Sequence, residues 1–336
     1  MDAAGPTDDD AELAVAEVDG VFPEGFYATT NHATDVRLRG AWVRVEGIEM
    51  DVGVRVTGDA AEACPMHRVR KGDVVVVGES GVRVRLPASA REEAGGEGEA
   101  FRFMSSAAST ERPKARLVAL VADAMRGARR DGGKILFVGG PAIVHSGSAP
   151  VLERLVRDGW IDVLFAGNAL AAHDIEASMF GTSLGVDLAR GEGVAHGHQH
   201  HLRAINRVRR AGSIAEAVHQ GLVTSGVMHA CITRPIPFVL AGSIRDDGPL
   251  PDVFTDAVQA ADAMRELVLG VTVAIIVATT LHGVATGNML PATVATFCVD
   301  SDADTVIKLV DRGTQQAVGI VTDCEYFLSE LARVLV

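Results

Sequence analysis

The fold is decided by the segment KILFVG, residues Lys134–Gly139, which is apolar after its first residue and is followed by a second glycine, Gly140. A helical pattern over residues 115–130 precedes it. Further continuous apolar segments recur along the chain, and helix-length segments separate most of them; they lie at 163–166, 238–241, 273–278, 295–299 and 317–321. Strands that are apolar along their whole length are typical of a parallel sheet covered on both faces. The sequence therefore predicts an α/β domain with a doubly wound parallel sheet.

Upstream of this domain the pattern changes to short strands in which apolar and polar residues alternate. The alternating segments lie at 36–39, 42–45, 52–56, 73–77 and 82–86. A period of two predicts a small, half-exposed antiparallel sheet. The charged Gly/Ala/Glu segment 87–100 reads as a linker, and the acidic residues 1–20 as a mobile lead-in. We therefore divide the chain into a lead-in over 1–20, a small β-rich domain over 21–112 that contains the linker, and the α/β domain over 113–336.

Composition restricts the class of protein and its partners. The chain has 336 residues, 48% of them hydrophobic, with 44 acidic and 31 basic residues and a formal net charge of −13. This acidic balance argues against nucleic acid or an anionic membrane as the main partner, because both attract Lys/Arg patches. Cys64, Cys231, Cys298 and Cys324 lie far apart without a CxxC pair, as expected in a reducing cytoplasm. No secretory signal is visible, and the longest apolar run, over 267–281, is too short to span a bilayer.

Small and polar residues follow the predicted parallel strands. Ligands of open α/β sheets bind outside the carboxyl ends of the strands, where a carboxylate can accept ribose hydroxyls and helix N-termini can bind a pyrophosphate. The alternative interpretation is that these side chains only cap the next helix. Neither GxGxxG nor a GxxxxGK[ST] loop is present, so dinucleotide binding is a hypothesis at this point. The residues concerned are Gly139-Gly140-Pro141, Gly167-Asn168-Ala169, Gly242 to Asp247, Thr279-Thr280-Leu281-His282, Asp300-Ser301-Asp302 and Thr322-Asp323-Cys324.

Two other segments carry candidate chemistry. The cluster HGHQHH at 196–201 could supply a metal ligand or a proton-transfer group. No acidic or cysteine ligand lies beside it at metal spacing, so no metal is predicted; a structural role at a helix start or a subunit contact is the alternative. In the loop RDDGPLPD at 245–252, Arg245 could bind a substrate carboxylate bidentately and Asp246 could bind an ammonium group or act as a base. An internally paired loop is the alternative there. Cys324 is expected to pack against a ligand rather than to act as a nucleophile.

Six long segments resemble the archaeal-type ornithine cyclodeaminases. The same family forms the C-terminal part of cyanobacterial arginine dihydrolase/ornithine cyclodeaminase fusions and is also described as lysine-ketoglutarate reductase/saccharopine dehydrogenase-like. The matching segments extend over nearly the whole chain from residue 21: FPEGFYATTNH (22–32), AGNALAAHDIE (166–176), GTSLGVDL (181–188), FVLAGSIRDDGPLPDV (238–253), GNMLP (287–291) and DRGTQQAVGIVTD (311–323).

The resemblance implies a Rossmann-like domain that binds NAD and a redox-neutral conversion of L-ornithine to L-proline and ammonia. Hydride would pass from the ornithine α-carbon to NAD+ and return to the cyclic imine. Arg245 would bind the α-carboxylate, Asp246 an amine or a transferred proton, and His282 would be a third catalytic residue. The NAD contacts implied are Asn168, Ala169, Asp247, Thr279, Thr280, Leu281, His282, Asp300, Asp323 and Cys324, with Asp300 suited to the adenosine ribose. The family also implies a homo-oligomer.

The chain departs from the family pattern in several places. Family members usually carry a further N-terminal domain before the FPEGFY segment, and only about 20 residues precede it here. They usually have Arg, Met and Ser at Gln199, Thr280 and Gly283, and the family's TDVG reads TDCE at 322–325. Two alternative functions stay open: an NAD-linked amino-acid or imine oxidoreductase with net NADH turnover, and a non-catalytic regulator that binds NAD or an amino acid.

Overall fold

The computed structural model describes residues 9–85, 114–188, 190–194, 197–246, 248–313 and 317–335. Contacts divide these residues into two compact units. The first contains the residues up to 85 together with Gly287–Thr293, and the second contains 114–286 and 294–335. The predicted linker at 87–100 lies outside the described residues. So do Asp247 and His196.

The first unit is built on a seven-stranded sheet in the order β1-β6-β4-β5-β3-β2-β7. All of its pairings are antiparallel except the parallel pair of β3 and β5. Val36, Val54 and Val76, which alternate with polar neighbours in the sequence, are fully buried in its core. The strands are β1 (Glu12–Val15), β2 (Ala33–Leu38), β3 (Ala41–Glu46), β4 (Gly53–Thr57), β5 (Ala60–Cys64), β6 (Val74–Val77) and β7 (Val82–Arg85).

Two strands of this sheet were not expected from the sequence. The prediction of a mobile lead-in over 1–20 is wrong for Glu12–Val15, because these residues form β1 and pair with Val74–Val77. The alternation of Leu13 and Val15 was hidden by the acidic residues around it. Strand β5 consists mainly of alanine, which has low β propensity. It forms because Gly58 and Asp59 close a hairpin with β4 and because β3 pairs with its other edge.

The second unit alternates strands and helices. Its strands are β8 (Lys134–Gly139), β9 (Val163–Gly167), β10 (Thr182–Ser183), β11 (Val186–Asp187), β12 (Phe238–Ala241), β13 (Val253–Phe254), β14 (Val271–Val277), β15 (Ala295–Asp300) and β16 (Val318–Val321). Its helices are α1 (Lys114–Asp131), α2 (Ala142–His145), α3 (Ala149–Arg157), α4 (Asn168–Phe180), α5 (His200–Ala211), α6 (Ile214–His219), α7 (Val227–Thr233), α8 (Ala257–Leu267), α9 (Leu281–Met289), α10 (Ala303–Gly313) and α11 (Cys324–Leu335).

Seven of these strands form one parallel sheet in the order β13-β12-β9-β8-β14-β15-β16. Its six longer strands are those predicted from the continuous apolar segments, so the doubly wound, Rossmann-like α/β fold is confirmed. Phe137 and Phe165 are buried at its centre. The strand order reverses at β8, which pairs with β9 on one side and with β14 on the other. A reversal of this kind opens a crevice at the carboxyl ends of the two strands between which it occurs, here β8 and β14.

Asp174 of α4 fixes helix α7 in the second unit. Its two carboxylate oxygens accept hydrogen bonds from the backbone N–H groups of Val227 (2.9 Å) and Met228 (2.8 Å). The side chain is fully enclosed, and burial raises the pKa of Asp174 to about 7 although these two hydrogen bonds act in the opposite direction.

This raised pKa makes the stability depend on pH. Between the unfolded value near 3.8 and the folded value near 7, the unfolded chain releases the proton while the folded chain retains it. The contribution of Asp174 to stability is therefore fully present below the unfolded value, falls as the pH rises to 7, and then levels off. Urea unfolding at a series of pH values should show this fall, and Asp174→Asn should flatten it. An unchanged slope in that variant would contradict the assignment.

Candidate active site

The ends of β8 and β14 lie in close contact at the point where the strand order reverses. The N–H of Gly140 donates to the carbonyl oxygen of Val277 at 3.0 Å. A Cβ atom added to Gly140 would overlap the carbonyl oxygen of Ala278 and would stand 3.2 Å from Cβ of Thr279. Ala278 itself has a left-handed φ of 53°. The glycine predicted to end this strand is therefore required by the close approach of two backbones.

A cavity of about 380 Å³ lies at the carboxyl ends of β8, β9 and β12. This volume falls within the range of about 300–1,000 Å³ that is typical of small-molecule sites. Apolar and small residues form part of its wall, and charged and imidazole side chains form the rest. The lining residues are Pro141, His145, Asn168, Ala169, Ala172, His173, Leu184, His201, Ile205, Ser243, Arg245 and Asp246.

The carboxylate of Asp246 is fixed by its surroundings. Oδ2 accepts a hydrogen bond from the N–H of Ser243 (2.7 Å), and Oδ1 accepts one from Nδ2 of Asn168 (3.2 Å). Asn168, the first residue of α4, also accepts a hydrogen bond from the N–H of Leu250 (3.0 Å), so it connects the helix to both ends of the loop after β12. The sequence predicted Asn168 as a ligand contact. Its side chain here orients Asp246.

Arg245 lines the same cavity. Its backbone N–H donates to Oγ of Ser243 at 3.1 Å, but its guanidinium forms no hydrogen bond or ion pair with any described residue. Asp252 has a structural role outside the loop, because it accepts a hydrogen bond from the N–H of Ile214 at the start of α6 (2.8 Å). A free cation next to an oriented carboxylate can bind a zwitterionic molecule.

His282 lies at the carboxyl end of β9. Its Cε1 would be 2.8 Å from a Cβ atom added to Gly167, so only glycine leaves room for the ring there. Burial lowers the pKa of His282, and the nearby negative charge of Asp246 partly opposes this shift. A neutral imidazole is therefore favoured near pH 7.

The remaining predicted residues lie at other strand ends. Asp300 accepts a hydrogen bond from the N–H of Asp302 (3.0 Å) through Oδ1, and Oδ2 makes no hydrogen bond to a described residue. Asp323 caps α11 by accepting a hydrogen bond from the N–H of Glu325 (2.8 Å), as the capping alternative expects.

The thiol of Cys324 is partly enclosed at the next strand end. Burial raises the pKa of this thiol, whose Sγ lies 3.4 Å from Oγ of Ser146. Leu281 and Thr280 are exposed and Thr279 is half-buried. Ligand contacts of all these residues remain predictions.

Three of the cavity residues are histidines, and the sequence analysis selected only one of them, His201. The rings of His145 and His173 are 4.8 Å apart, and those of His173 and His201 are 5.8 Å apart. His201 belongs to the cluster that was noticed in the sequence, and His145 and His173 come from α2 and α4. A helical spacing could have identified His173: it follows Asn168 and Ala169 on the cavity-facing side of α4, and Glu176 continues that side one turn later. Across the described residues, no group of three or more His, Cys, Asp or Glu side chains could hold a metal ion.

Helices that could cross a membrane were sought in the described part of the chain, and none is long and apolar enough.

Comparison with known proteins finds similarity over nearly the whole chain. Residues 33–118 match the family described as arginine dihydrolase ArgZ-like, C-terminal, first region, and residues 119–331 match its Rossmann-fold region. A protein of Methanothermobacter thermautotrophicus named ornithine cyclodeaminase is 51% identical over 321 residues, which cover 95% of this chain and 77% of the relative. A second, from Methanocaldococcus jannaschii, carries the same name and is 52% identical, with 98% and 79% covered.

Two solved structures are also similar. A LOR/SDH protein from Methanococcus maripaludis S2 is 44% identical, with a TM-score of 0.89, and the match covers 97% of this chain and 98% of that one. AgrE in its ternary complex with ornithine and NAD+ is 40% identical, with a TM-score of 0.65, and the match covers 97% of this chain and 46% of AgrE. This chain thus spans about half the length of AgrE. It belongs to the family of the archaeal-type ornithine cyclodeaminases and of the C-terminal regions of ArgZ-like arginine dihydrolases.

Proposed function

We propose that this protein is an NAD-dependent ornithine cyclodeaminase that converts L-ornithine to L-proline and ammonia. The observation that carries the proposal is the guanidinium of Arg245, which has no partner among the described residues, next to the oriented carboxylate of Asp246 in one cavity. Ornithine carries one carboxylate and two ammonium groups, so this pair of charges complements it. The relatives named ornithine cyclodeaminase, which are about half identical to this chain, support the same reaction.

The strand ends offer a fitting place for a pyridine dinucleotide. The crevice lies where the strand order reverses. Because Gly140 has no Cβ atom, the backbones at the ends of β8 and β14 can approach each other closely there. Asp300, with one oxygen free of described partners, would bind a ribose hydroxyl; Asn168, Ala169, Asp247, Thr279, Thr280, Leu281, His282, Asp323 and Cys324 are the other proposed contacts. When bound, NAD+ would accept hydride from the ornithine α-carbon and return it to the cyclic imine.

The residues of the chain would then bind and orient the substrate. Arg245 would hold the α-carboxylate through paired N–H donors, and Asp246 would hold an ammonium group. His282, whose buried ring is favoured as the neutral imidazole, would add no competing positive charge next to that ammonium. We infer that these three side chains position the α-carbon over the crevice.

Turnover of ornithine tests the proposed function directly. The purified protein, incubated with L-ornithine and NAD+, should release proline and ammonia in equal amounts without net NADH. Accumulation of NADH in proportion to substrate would instead favour an ordinary amino-acid or imine oxidoreductase. Thermal stabilisation by NAD+ and ornithine without any product would favour a regulator. Mass spectrometry of small molecules released on denaturation would show whether NAD is already bound.

Arg245→Met is expected to weaken ornithine binding without unfolding the chain, since the guanidinium has no described partner. A hydrogen bond to a charged group contributes about 1.5–3 kcal/mol, so KM should rise about 10-fold to 100-fold with a smaller change in kcat. Arg245→Lys should have a KM between those of the unaltered protein and Arg245→Met, because lysine keeps the charge and loses the bidentate geometry. The control is Arg130→Met, which removes an exposed arginine paired only with Asp131. An unchanged KM in Arg245→Met would exclude carboxylate binding by this residue.

Partners and location are part of the same proposal. The proposed partner is a small molecule, an amino acid. We propose neither nucleic acid nor a membrane as a partner, and we expect the protein to be a homo-oligomer in the cytoplasm. The four cysteines, all among the described residues, are buried and form no disulfide, as expected in a reducing compartment. Light scattering of the purified protein would measure the oligomeric state.

A further inference from the structure

The carboxylate of Glu176 is buried one helical turn behind the cavity wall. Its side chain is fully enclosed and makes four hydrogen bonds. Oε2 accepts from the N–H of Leu184 (3.2 Å) and lies 2.9 Å from Nδ1 of His173. Oε1 accepts from Oγ1 of Thr182 (2.9 Å) and from the N–H of Gly185 (3.2 Å). Each carboxylate oxygen thus accepts from a backbone N–H, which can only donate, and the pKa of Glu176 is lowered although burial acts in the opposite direction, so the carboxyl is ionised.

This arrangement fixes the tautomer of His173. An ionised carboxylate only accepts hydrogen bonds, so Nδ1 of His173 must carry the proton in the contact with Glu176. The other ring nitrogen, Nε2, forms no hydrogen bond to a described residue, and the ring lines the cavity with its side chain 11% exposed. The lone pair of Nε2 is therefore available at the cavity, where Arg245 and Asp246 also lie. A buried carboxylate that orients an imidazole in this way is a recurrent arrangement for proton transfer.

We propose that His173 is the proton-transfer group of the cavity and that Glu176 is its positioning residue. The inference deepens the proposed ornithine reaction and rests on it. In the step assigned to His173, an N–H bond of the substrate α-ammonium breaks and an Nε2–H bond forms, so the amine keeps its electron pair. The proton returns from Nε2 to the same nitrogen when that nitrogen departs as ammonia. Neither transfer changes an oxidation state, and neither needs a further reactant.

The charges around His173 are compatible with this role. Two further imidazole rings approach it, His145 from α2 and His201 from α5, and the loop after β12 supplies one charge of each sign. Burial, followed by the positive charge that His173 would carry, lowers the pKa of His145, which favours a neutral neighbour. Burial alone would raise the pKa of Glu176, but its hydrogen bonds lower it. The groups facing the ring are Glu176 on its own helix, His145, His201, Arg245 and Asp246.

Glu176 also holds the turn that closes this side of the cavity. Leu184 and Gly185 both have left-handed φ values, 52° and 73°, and their N–H groups point to the carboxylate. Leu184 lines the cavity, and a left-handed conformation is costly for leucine. Removal of Glu176 could therefore loosen the turn as well as the histidine. A measurement on the unaltered protein is needed beside the variants.

The tautomer of His173 can be measured without substrate or cofactor. In protein labelled with ¹⁵N-histidine, the His173 ring should show a protonated Nδ1 and an unprotonated Nε2, with the resonances assigned by their loss in His173→Gln. In Glu176→Gln the charge that favours a protonated Nδ1 is removed and the amide can either accept or donate, so the His173 ring should show a mixture of the two tautomers. A protonated Nε2 in the unaltered protein would overturn the inference whether or not ornithine is the substrate.

Kinetics supply the second readout. His173→Gln is expected to lower kcat at least about 100-fold, the lower end for loss of a general acid–base. In Glu176→Gln the acid limb of kcat/KM should move to lower pH, which a purely structural role would not produce. His219→Gln, an exposed histidine at the end of α6, is the matched control and should keep the rate. If the unaltered chain turns over ornithine and His173→Gln retains its rate, the inference fails while the proposed function stands. If the unaltered chain gives no proline, the proposed function fails, and the NMR measurement of the His173 tautomer still tests the inference.

Discussion

Asp246→Asn is expected to reduce kcat/KM for ornithine by a factor between about 30 and several thousand. The loss of one partner from a desolvated, hydrogen-bonded charge pair costs about 2–5 kcal/mol, and the substrate ammonium would be the partner left behind. Asparagine has nearly the same shape as aspartate, so the hydrogen bond from the N–H of Ser243 can be kept. The introduced asparagine then turns an N–H donor toward Nδ2 of Asn168, so this hydrogen bond is lost. The loss lowers the free energy that holds the loop in place by about 1 kcal/mol. Steady-state kinetics with ornithine measures the effect.

An independent readout separates lost charge from a displaced loop. Asp246 raises the pKa of His282 against the larger effect of burial, so Asp246→Asn should lower that pKa further in the protein without ligands. Asp256→Asn is the control for removal of one negative charge: this residue caps α8, and asparagine is an equally good cap. A full rate in Asp246→Asn together with a lowered pKa of His282 would rule out ammonium binding by Asp246.

The parallel sheet could be predicted because its strands carry their own evidence. The central strands are buried on both faces, so a segment such as Lys134–Gly139 is apolar at every position after its first and is easily recognised in the sequence. The strands of the first unit are buried on one face, and the two that were missed have weak local patterns. β5 is mostly alanine, and β1 lies among acidic residues. These strands depend on their partners across the sheet, which a local pattern does not reveal.

The candidate site could be predicted only where it adjoins a strand end. Arg245, Asp246 and Asn168 follow strands directly, and the rule for open α/β sheets selected them without knowledge of the structure. His173 and Glu176 lie within α4, where the same residue types usually satisfy core contacts. Their importance depends on the turn at 182–185 and on His201, which approach α4 from elsewhere in the chain. Asp323 shows the opposite case: a strand-end carboxylate whose visible hydrogen bonds only cap a helix.

Gly140→Ala is expected to have the largest effect on stability, because it places a methyl group where two backbones already meet. The new Cβ would overlap the carbonyl oxygen of Ala278, and neither the end of β8 nor the end of β14 can move without breaking the hydrogen bond from Gly140 to Val277. Overpacking of this kind costs about 1–3 kcal/mol when flexible side chains yield and more when backbone must shift, so we expect at least about 3 kcal/mol.

Gly127→Ala is the matched control for that substitution. Gly127 lies inside α1, and an added Cβ would meet only the end of the flexible Arg130 side chain, at 3.8 Å. Alanine in a helix interior is favoured over glycine by roughly 0.5–1 kcal/mol, so this variant should be slightly more stable than the unaltered protein. Urea unfolding of both variants measures the two changes. The same methyl group should thus stabilise the chain at one glycine and strongly destabilise it at the other. Equal effects would mean that the ends of β8 and β14 do not form the rigid edge on which the proposed site depends.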